Sequence, residues 1–152
     1  MNTPLPVAVF DAMHALQHLF RTRMRHAMEA VHPELGFNDM RVLMRVGRQP
    51  GITQRELVEH SQADKAQMAR LLAQLEQRGW LTRSAAADDR RVRCLHLGAQ
   101  GRELFARLRG LQEQVADGLL QGCPAPAQRR LLALLRQARD GVEAEVAQAP
   151  RR

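Results

Sequence analysis

The sequence is poor in the residues on which several classes of protein depend. It has two cysteines in 152 residues, Cys94 and Cys123, too few for a disulfide scaffold. Aromatic residues make up 3% and tyrosine is absent, which argues against a surface that stacks single-stranded bases. No apolar run reaches the ~18 residues of a membrane span, and the first residues lack the basic start of a signal peptide. These absences predict a cytoplasmic chain with no membrane partner.

The charge is strongly positive and is carried almost entirely by arginine. Lysine plus arginine number 23 against 16 acidic residues, a formal charge of +7, and Lys65 is the only lysine. Arginine pairs bidentately with phosphate and with the guanine edge, which lysine does not do. The length fits one domain. This composition is compatible with an anionic partner, but a coding bias toward arginine codons would produce the same excess, so the charge alone does not identify a partner.

The spacing of apolar residues is mostly helical. A first helix over about residues 4–32 carries an apolar stripe, and Pro33 and Gly36 end it. A short helix follows at about 38–46. After the middle of the chain two further helical stripes occupy about 99–148, broken at residues 122–126. We expect a mostly α fold in which these outer stripes pack with each other or with a second chain.

The middle of the chain, about residues 35–97, has the pattern of helix, tight turn, helix and hairpin. Thr53 and Glu56 have the spacing of a capping box, and Asp64 and Gln67 repeat it three residues after the first short helix ends. Segments 80–83 and 91–97 read as strands around a polar loop. This order is that of a winged helix-turn-helix, with the small β-hairpin as the wing.

The second helix of this unit has the composition of a helix that enters the major groove. Its apolar stripe is Met68, Leu71, Leu72 and Leu75, and small or polar residues lie opposite it. Arginine reads guanine and glutamine reads adenine in that groove. The candidate DNA contacts of this helix are Lys65, Ala66, Gln67, Arg70 and Gln74. An ordinary solvent-exposed helix face would have the same composition, so this helix alone does not distinguish a DNA-binding protein from one that does not bind DNA.

The hairpin favours the DNA-binding interpretation. Arg83, Arg90, Arg91 and Arg93 lie within eleven residues, and such a cluster repels itself unless an anion meets it. Arginine is also favoured in a narrow minor groove. Asp89 is placed to orient a neighbouring arginine, or to form a surface ion pair of little weight.

These motifs together resemble the MarR family of bacterial transcription factors. The residues that carry the resemblance are Ile52–Leu57, Asp64–Leu72, Leu75–Leu81 and Asp89–Arg91, followed by Leu95, Leu97, Gly101 and Leu104. The resemblance implies a homodimer whose first and last two helices form the dimerisation base, and double-stranded DNA as partner. It places Arg70 in the major groove and Arg90 or Arg91 in the minor groove, with Asp89 holding the wing arginine. Gly98 departs from the family, which usually has threonine there, and the lost cap costs only a few tenths of a kcal/mol.

The family often responds to a small effector, aromatic or phenolic, bound between the dimerisation helices and the DNA-binding lobe. By this analogy the sequence offers six pocket candidates without ranking them: Met24, His26, Met28, His32, Phe37 and Met40. The resemblance therefore implies a ligand-responsive repressor that acts on a pseudo-palindromic operator.

Other functions are supported by fewer residues of the sequence than DNA binding is. His14 and His18 have metal-ligand spacing but no matching third ligand, so no metal or cofactor is expected. No catalytic triad or phosphate loop marks an enzyme. A winged helix that binds protein, and a regulator switched by oxidation of Cys94 or Cys123, stay as alternatives.

Overall fold

The computed structural model describes residues 3–61 and 63–148, which form six helices and one hairpin. The elements in chain order are α1 Leu5–Glu29, α2 Phe37–Arg48, α3 Gln54–Glu59, α4 Lys65–Gln77, β1 Leu81–Ala85, β2 Arg93–Leu97, α5 Ala99–Leu120 and α6 Ala125–Gln148. The predicted class, mostly α with a two-stranded wing, is confirmed. The chain divides between Val115 and Ala116 into two compact units.

The core lies in the first unit and is built from the predicted apolar stripes. Leu43 and Val46 of α2, Leu72 of α4 and Leu108 of α5 are fully buried. They meet because each of these helices carries its apolar residues on one face, which must be removed from water. The core therefore connects the helix-turn-helix with the start of α5.

The helix-turn-helix forms because its caps satisfy the free backbone groups of two short helices. Thr53 and Glu56 form the predicted capping box: the Thr53 N–H donates to Glu56 Oε2 at 2.7 Å, and the Glu56 N–H donates to Thr53 Oγ1 at 3.2 Å. At α4 the Gln67 N–H donates to the Asp64 carboxylate at 2.7 Å. The predicted apolar stripe of α4 is confirmed, since Met68, Leu72 and Leu75 are buried.

The hairpin lies where the sequence pattern predicted it, but its first strand extends two residues further and its second strand begins two residues later. Its strands pair antiparallel with Leu81 opposite Leu97 and Ala85 opposite Arg93. The second strand starts at Arg93 and not at residue 91, because Asp89 draws residues 89–92 into a turn: the Asp89 carboxylate accepts from the Arg91 N–H at 2.9 Å and its carbonyl from the Val92 N–H at 3.0 Å. Residues 90 and 91 therefore lie at the tip.

A third segment, which the sequence pattern did not reveal, ties the hairpin to the helix-turn-helix. The Gly51 N–H donates to the Leu95 carbonyl at 2.8 Å, and the Leu95 N–H donates to the Ile52 carbonyl at 2.9 Å. Thr53, the cap of α3, forms a β-bridge with Cys94. The wing and the start of α3 are thus held to one another through backbone hydrogen bonds.

The entry to α5 corrects the interpretation of Gly98. The residue precedes the first turn of α5, as expected, and its carbonyl accepts from the Arg102 N–H at 2.9 Å. A Cβ at Gly98 would overlap the Gly79 carbonyl oxygen, and one at Gly101 would overlap the Trp80 carbonyl oxygen. Glycine is required here because two backbone segments pack closely. The small cost of losing a hydroxyl cap is therefore not the reason for glycine at position 98.

The second unit consists of the end of α5, a short turn and α6. The turn at residues 121–124 lies where the sequence predicted a break. The Gln128 side chain crosses back to it and donates to the Cys123 carbonyl at 2.8 Å. Four leucines of α6 are exposed on the single chain: Leu131, Leu132, Leu134 and Leu135.

Candidate nucleic-acid interface

The outward face of α4 carries the polar residues that the sequence predicted for base contacts. Its buried stripe faces the core, and all five predicted contacts are exposed: Lys65, Ala66, Gln67, Arg70 and Gln74. The small side chain of Ala66 allows close approach, while Arg70 and Gln74 are long enough to reach base edges. The face therefore has the shape and hydrogen-bonding groups that major-groove reading requires.

The start of helix α3, which precedes α4 in the helix-turn-helix, is fixed by its own capping box. The pKa of Glu56 lies below its ordinary value of 4.5, first because the Thr53 backbone N–H and then because the Thr53 hydroxyl donates to the carboxylate. His60 and Arg45 add smaller attractive contributions. The charged form of Glu56 is thus favoured, and with it the start of the helix-turn-helix.

The wing tip presents two arginines to solvent. Arg90 and Arg91 lie in the turn that Asp89 closes, and both are exposed. The sequence prediction was that Asp89 holds a wing arginine, and the structure shows the contact with the backbone N–H of Arg91. Holding the backbone leaves the Arg91 guanidinium available to a phosphate. Arg93, the first residue of β2, is exposed as well.

Arg83, the remaining predicted wing contact, is placed differently. Its Nε lies 2.9 Å from Glu76 Oε2 on α4, and the two side chains are 29% and 30% exposed. The pair joins the helix with the reading face to the first wing strand. This geometry makes Arg83 a residue that positions the wing relative to α4, in addition to its predicted contact with DNA.

A cleft of about 950 Å³ lies beside α4, lined from α1, α2, α3 and α5 as well. Of the six predicted pocket residues, Phe37 and Met40 line it. Met24 and Met28 are buried in the core, while His26 is 91% exposed and lies 3.7 Å from Glu29. His32 packs edge-on against Trp80, with ring centroids 4.9 Å apart. The structure therefore does not gather the six residues into one site.

Sequence reasoning missed the arginines of this cleft. Arg21 from α1 lines it together with Arg41, Arg45 and Arg48 from α2, and Arg70 borders it from α4. The signal was present in the spacing of the three α2 arginines, at i, i+4 and i+7, which places them on one helix face. The Arg21 guanidinium lies 5.6 Å from the centre of the Phe37 ring. The cleft thus combines positive charge with aromatic surface.

The two cysteines, which the sequence offered as candidates for a redox switch, lie in different elements. Cys94 is a partly buried residue of β2, and Cys123 is exposed in the turn before α6. Within residues 3–61 and 63–148, no three histidine, cysteine or acidic side chains are grouped as a metal ion would require. Among the helices of that same part of the chain, none is long and apolar enough to cross a bilayer.

The family model and the related sequence both identify the same protein family. A sequence model of the MarR family matches residues 38–92. Transcriptional regulator HosA of Escherichia coli O127:H6 is 30% identical over 129 residues, which cover 83% of this chain and 93% of HosA.

Solved structures share the fold. FabT of Streptococcus pneumoniae, in complex with DNA, superposes with a TM-score of 0.75 at 15% identity and covers 90% of this chain and 96% of FabT. A MarR family protein of Mycobacterium tuberculosis, in complex with p-aminosalicylic acid, gives 0.68 at 22% identity, covering 90% and 98%. With the extent of the match to HosA, these findings show that the chain belongs to the MarR family of DNA-binding transcriptional regulators.

Proposed function

We propose that the chain is a homodimeric repressor that binds a pseudo-palindromic operator in double-stranded DNA and is released by a small ligand. The observation that carries this proposal is the exposed polar face of α4 beside an arginine-tipped wing. A regulator of this kind acts at the chromosome, so we expect it in the cytoplasm.

We expect two kinds of contact with DNA: contacts with phosphates, which determine affinity, and contacts with bases, which determine sequence specificity. Arg90 and Arg91 at the wing tip, and Lys65 at the start of α4, are available to phosphates and minor groove, which supply most of the affinity and make it salt-dependent. Arg70 and Gln74 are in position to read bases, at about 1–3 kcal/mol of discrimination for each good bidentate contact. FabT, which shares this fold, was solved in complex with DNA, and this supports DNA as the partner.

Exposed apolar faces support the homodimer. On α1 Leu5 and Phe10 are 77% and 60% exposed, and Met13, Leu16 and Leu19 are exposed as well. On α6 the exposed apolar residues are Leu131, Leu132, Leu134, Leu135 and Val142. Apolar faces of this extent mark an interaction surface, and a second copy of the chain would cover them. Twofold symmetry then sets two half-sites one turn of DNA apart, about 34–36 Å.

The cleft beside α4 supports a response to a ligand. The related M. tuberculosis protein binds p-aminosalicylic acid, and the cleft of this chain offers Phe37 and Met40 to an aromatic effector. A ligand relieves repression only if it prefers a state of the dimer that fits DNA poorly. The DNA-bound dimer must then bind the ligand more weakly by the same factor.

Light scattering and DNA titration test the proposal. We expect twice the mass of the 17.2 kDa chain. The affinity for a duplex should fall with salt, and Arg91→Ala should reduce the slope by about one unit if Arg91 neutralises one phosphate. Arg23→Ala is the control, because Arg23 is exposed on α1 and belongs to neither α4 nor the wing. A monomeric chain, or equal slopes for both variants, would contradict the proposal.

A further inference from the structure

Trp80, the only tryptophan of the chain, lies where three segments of the structure meet. The residue is 5% exposed. Its N–H donates to the Leu75 carbonyl of α4 at 3.0 Å, and its carbonyl accepts from the Gly98 N–H, before α5, at 2.9 Å. On its ring packs His32, edge-on, from the turn of residues 30–36 that joins α1 to α2. Trp80 therefore connects the end of α4 with the start of α5 and with this turn.

The side chain of Arg78, the residue that ends α4, spans the Trp80 ring and the same turn. Its guanidinium carbon lies 5.0 Å from the centre of the ring. Its Nη1 donates to the Glu34 carbonyl at 3.2 Å, and its Nη2 lies 3.7 Å from Glu34 Oε2. A planar guanidinium stacks on a ring and donates hydrogen bonds at the same time, which a lysine ammonium does not do. We call these contacts of Arg78 with Trp80 and Glu34 the Arg78 clamp.

The clamp supplies the directional contact between this turn and α4. Among residues 3–61 and 63–148, the other hydrogen bonds of residues 30–36 stay within the turn or go to the adjoining α1 and α2. The Nδ1 of His32 is buried and has no hydrogen-bond partner among those residues. Leu35 is buried in the core, but apolar burial is non-directional. The orientation of the turn relative to the end of α4 therefore depends on Arg78.

The clamp holds the helix that carries the reading face. Arg70 and Gln74 are exposed on α4, and the Arg78 N–H donates to the Gln74 carbonyl at 3.2 Å. Hydrogen bonds to base edges weaken steeply when their angle changes. Contacts with phosphates carry no sequence information directly. A change in the tilt of α4 therefore weakens sequence discrimination more than it weakens general attraction to DNA.

We propose that Arg78 is a positioning residue for the reading of DNA. It holds the end of α4 against the turn between α1 and α2, and in this way fixes the orientation in which Arg70 and Gln74 meet the bases. Arg78 itself contacts no base. The reading role rests on the proposed binding to a specific operator, whereas the clamp is a feature of the free chain.

The variant Arg78→Lys tests the proposal because it keeps the charge and removes the guanidinium. Fluorescence anisotropy compares two labelled duplexes at about 0.15 M salt, where non-specific binding is weak. One is the duplex that the wild type enriches most from a random pool, and the other is a scrambled duplex of the same base composition. We expect about tenfold weaker binding to the enriched duplex, the equivalent of one charge-assisted hydrogen bond in a partly exposed place. Binding to the scrambled duplex should stay at the wild-type value.

Arg109→Lys is the matched control. Arg109 is an exposed residue of α5 that forms an ion pair with Glu113 at 3.5 Å, so the same substitution is made at an ion-paired arginine outside the clamp. It should bind both duplexes as the wild type does. Circular dichroism shows that both variants are folded at the temperature of the titration.

Quenching of Trp80 fluorescence by acrylamide tests the clamp without DNA. The signal comes from Trp80 alone, since the chain has one tryptophan and no tyrosine. The quenching constant should increase in Arg78→Lys, because the guanidinium no longer covers the ring, and stay unchanged in Arg109→Lys. Equal quenching in all three proteins would overturn the clamp.

The reading role is overturned if Arg78→Lys keeps the wild-type ratio of the two affinities, if it weakens both duplexes equally, or if Arg109→Lys lowers the ratio too. Equal weakening would make Arg78 a residue that serves stability only. A wild type that enriches no sequence would contradict the proposed operator binding, and the reading role with it. Increased quenching in Arg78→Lys would still show the clamp in that case, so the two failures are distinguishable.

Discussion

Replacing Gly101 with alanine should destabilise the chain sharply, although alanine is the better helix former. Gly101 is buried in the first turns of α5, and a Cβ there would overlap the Trp80 carbonyl oxygen. That oxygen belongs to the backbone, and it accepts a hydrogen bond from the Gly98 N–H at 2.9 Å. The overlap cannot be relieved by rotating a side chain, so α5 must move away from residues 79–80.

The magnitude follows from three contributions. Overpacking costs about 3 kcal/mol, disturbing the hydrogen bond to Trp80 costs about 1 kcal/mol, and alanine returns about 1 kcal/mol of helix propensity. We therefore expect a loss of about 3 kcal/mol in the free energy of unfolding. With a urea slope of about 2 kcal/mol per M, the unfolding midpoint should fall by about 1.5 M.

Gly110→Ala is the matched control, because Gly110 lies in the same helix and no described atom lies within 4 Å of a Cβ built there. It should raise the free energy of unfolding by up to about 1 kcal/mol. Both variants are measured at one protein concentration, since the proposed dimerisation would make the midpoint depend on it. Equal shifts for Gly101→Ala and Gly110→Ala would refute the close-packing argument.

Three further substitutions test the site. Arg70→Ala should weaken binding to a specific site by about 1–3 kcal/mol and to mixed-sequence DNA by less; equal losses in a titration of both duplexes would make Arg70 a phosphate contact. Glu76→Gln and Arg83→Met should each lower stability by about 1 kcal/mol or less, and a double-mutant cycle with a zero coupling energy would show that this ion pair does not hold the wing. Because the pKa of Glu56 is lowered in the folded chain, its charge stabilises the fold above its ordinary value of 4.5 and this contribution is lost as the pH falls through the lower folded value. The stability difference between the wild type and Glu56→Gln should therefore be constant near neutral pH and shrink as the pH falls below 4.5; a difference that does not shrink at all on acidification would contradict the lowered pKa of Glu56.

The sequence predicted the helices well because the patterns that specify a helix, its cap and its apolar stripe, involve residues that are close together in the chain. The capping box at Thr53 and the apolar stripe of α4 each lie within one or two turns, and the structure has both. The family resemblance is confirmed, and the prediction that the chain is not an enzyme agrees with membership in a family of regulators.

Features that depend on distant residues could not be predicted in this way. The pairing of residues 51–52 with Leu95 joins segments more than 40 positions apart, and the role of Gly98 depends on the carbonyl of Gly79. The partner of Arg83 lies on another element. The α2 arginines were visible as a spacing, but only the fold shows that they border a cleft.

Sequence-specific DNA binding is tested most directly by a selection from a random pool of double-stranded DNA at about 0.15 M salt, where non-specific binding is weak. We expect the chain to recover an inverted repeat whose half-site centres lie about 10 base pairs apart. Recovery of no enriched sequence would contradict it, and would favour instead a winged helix that binds protein.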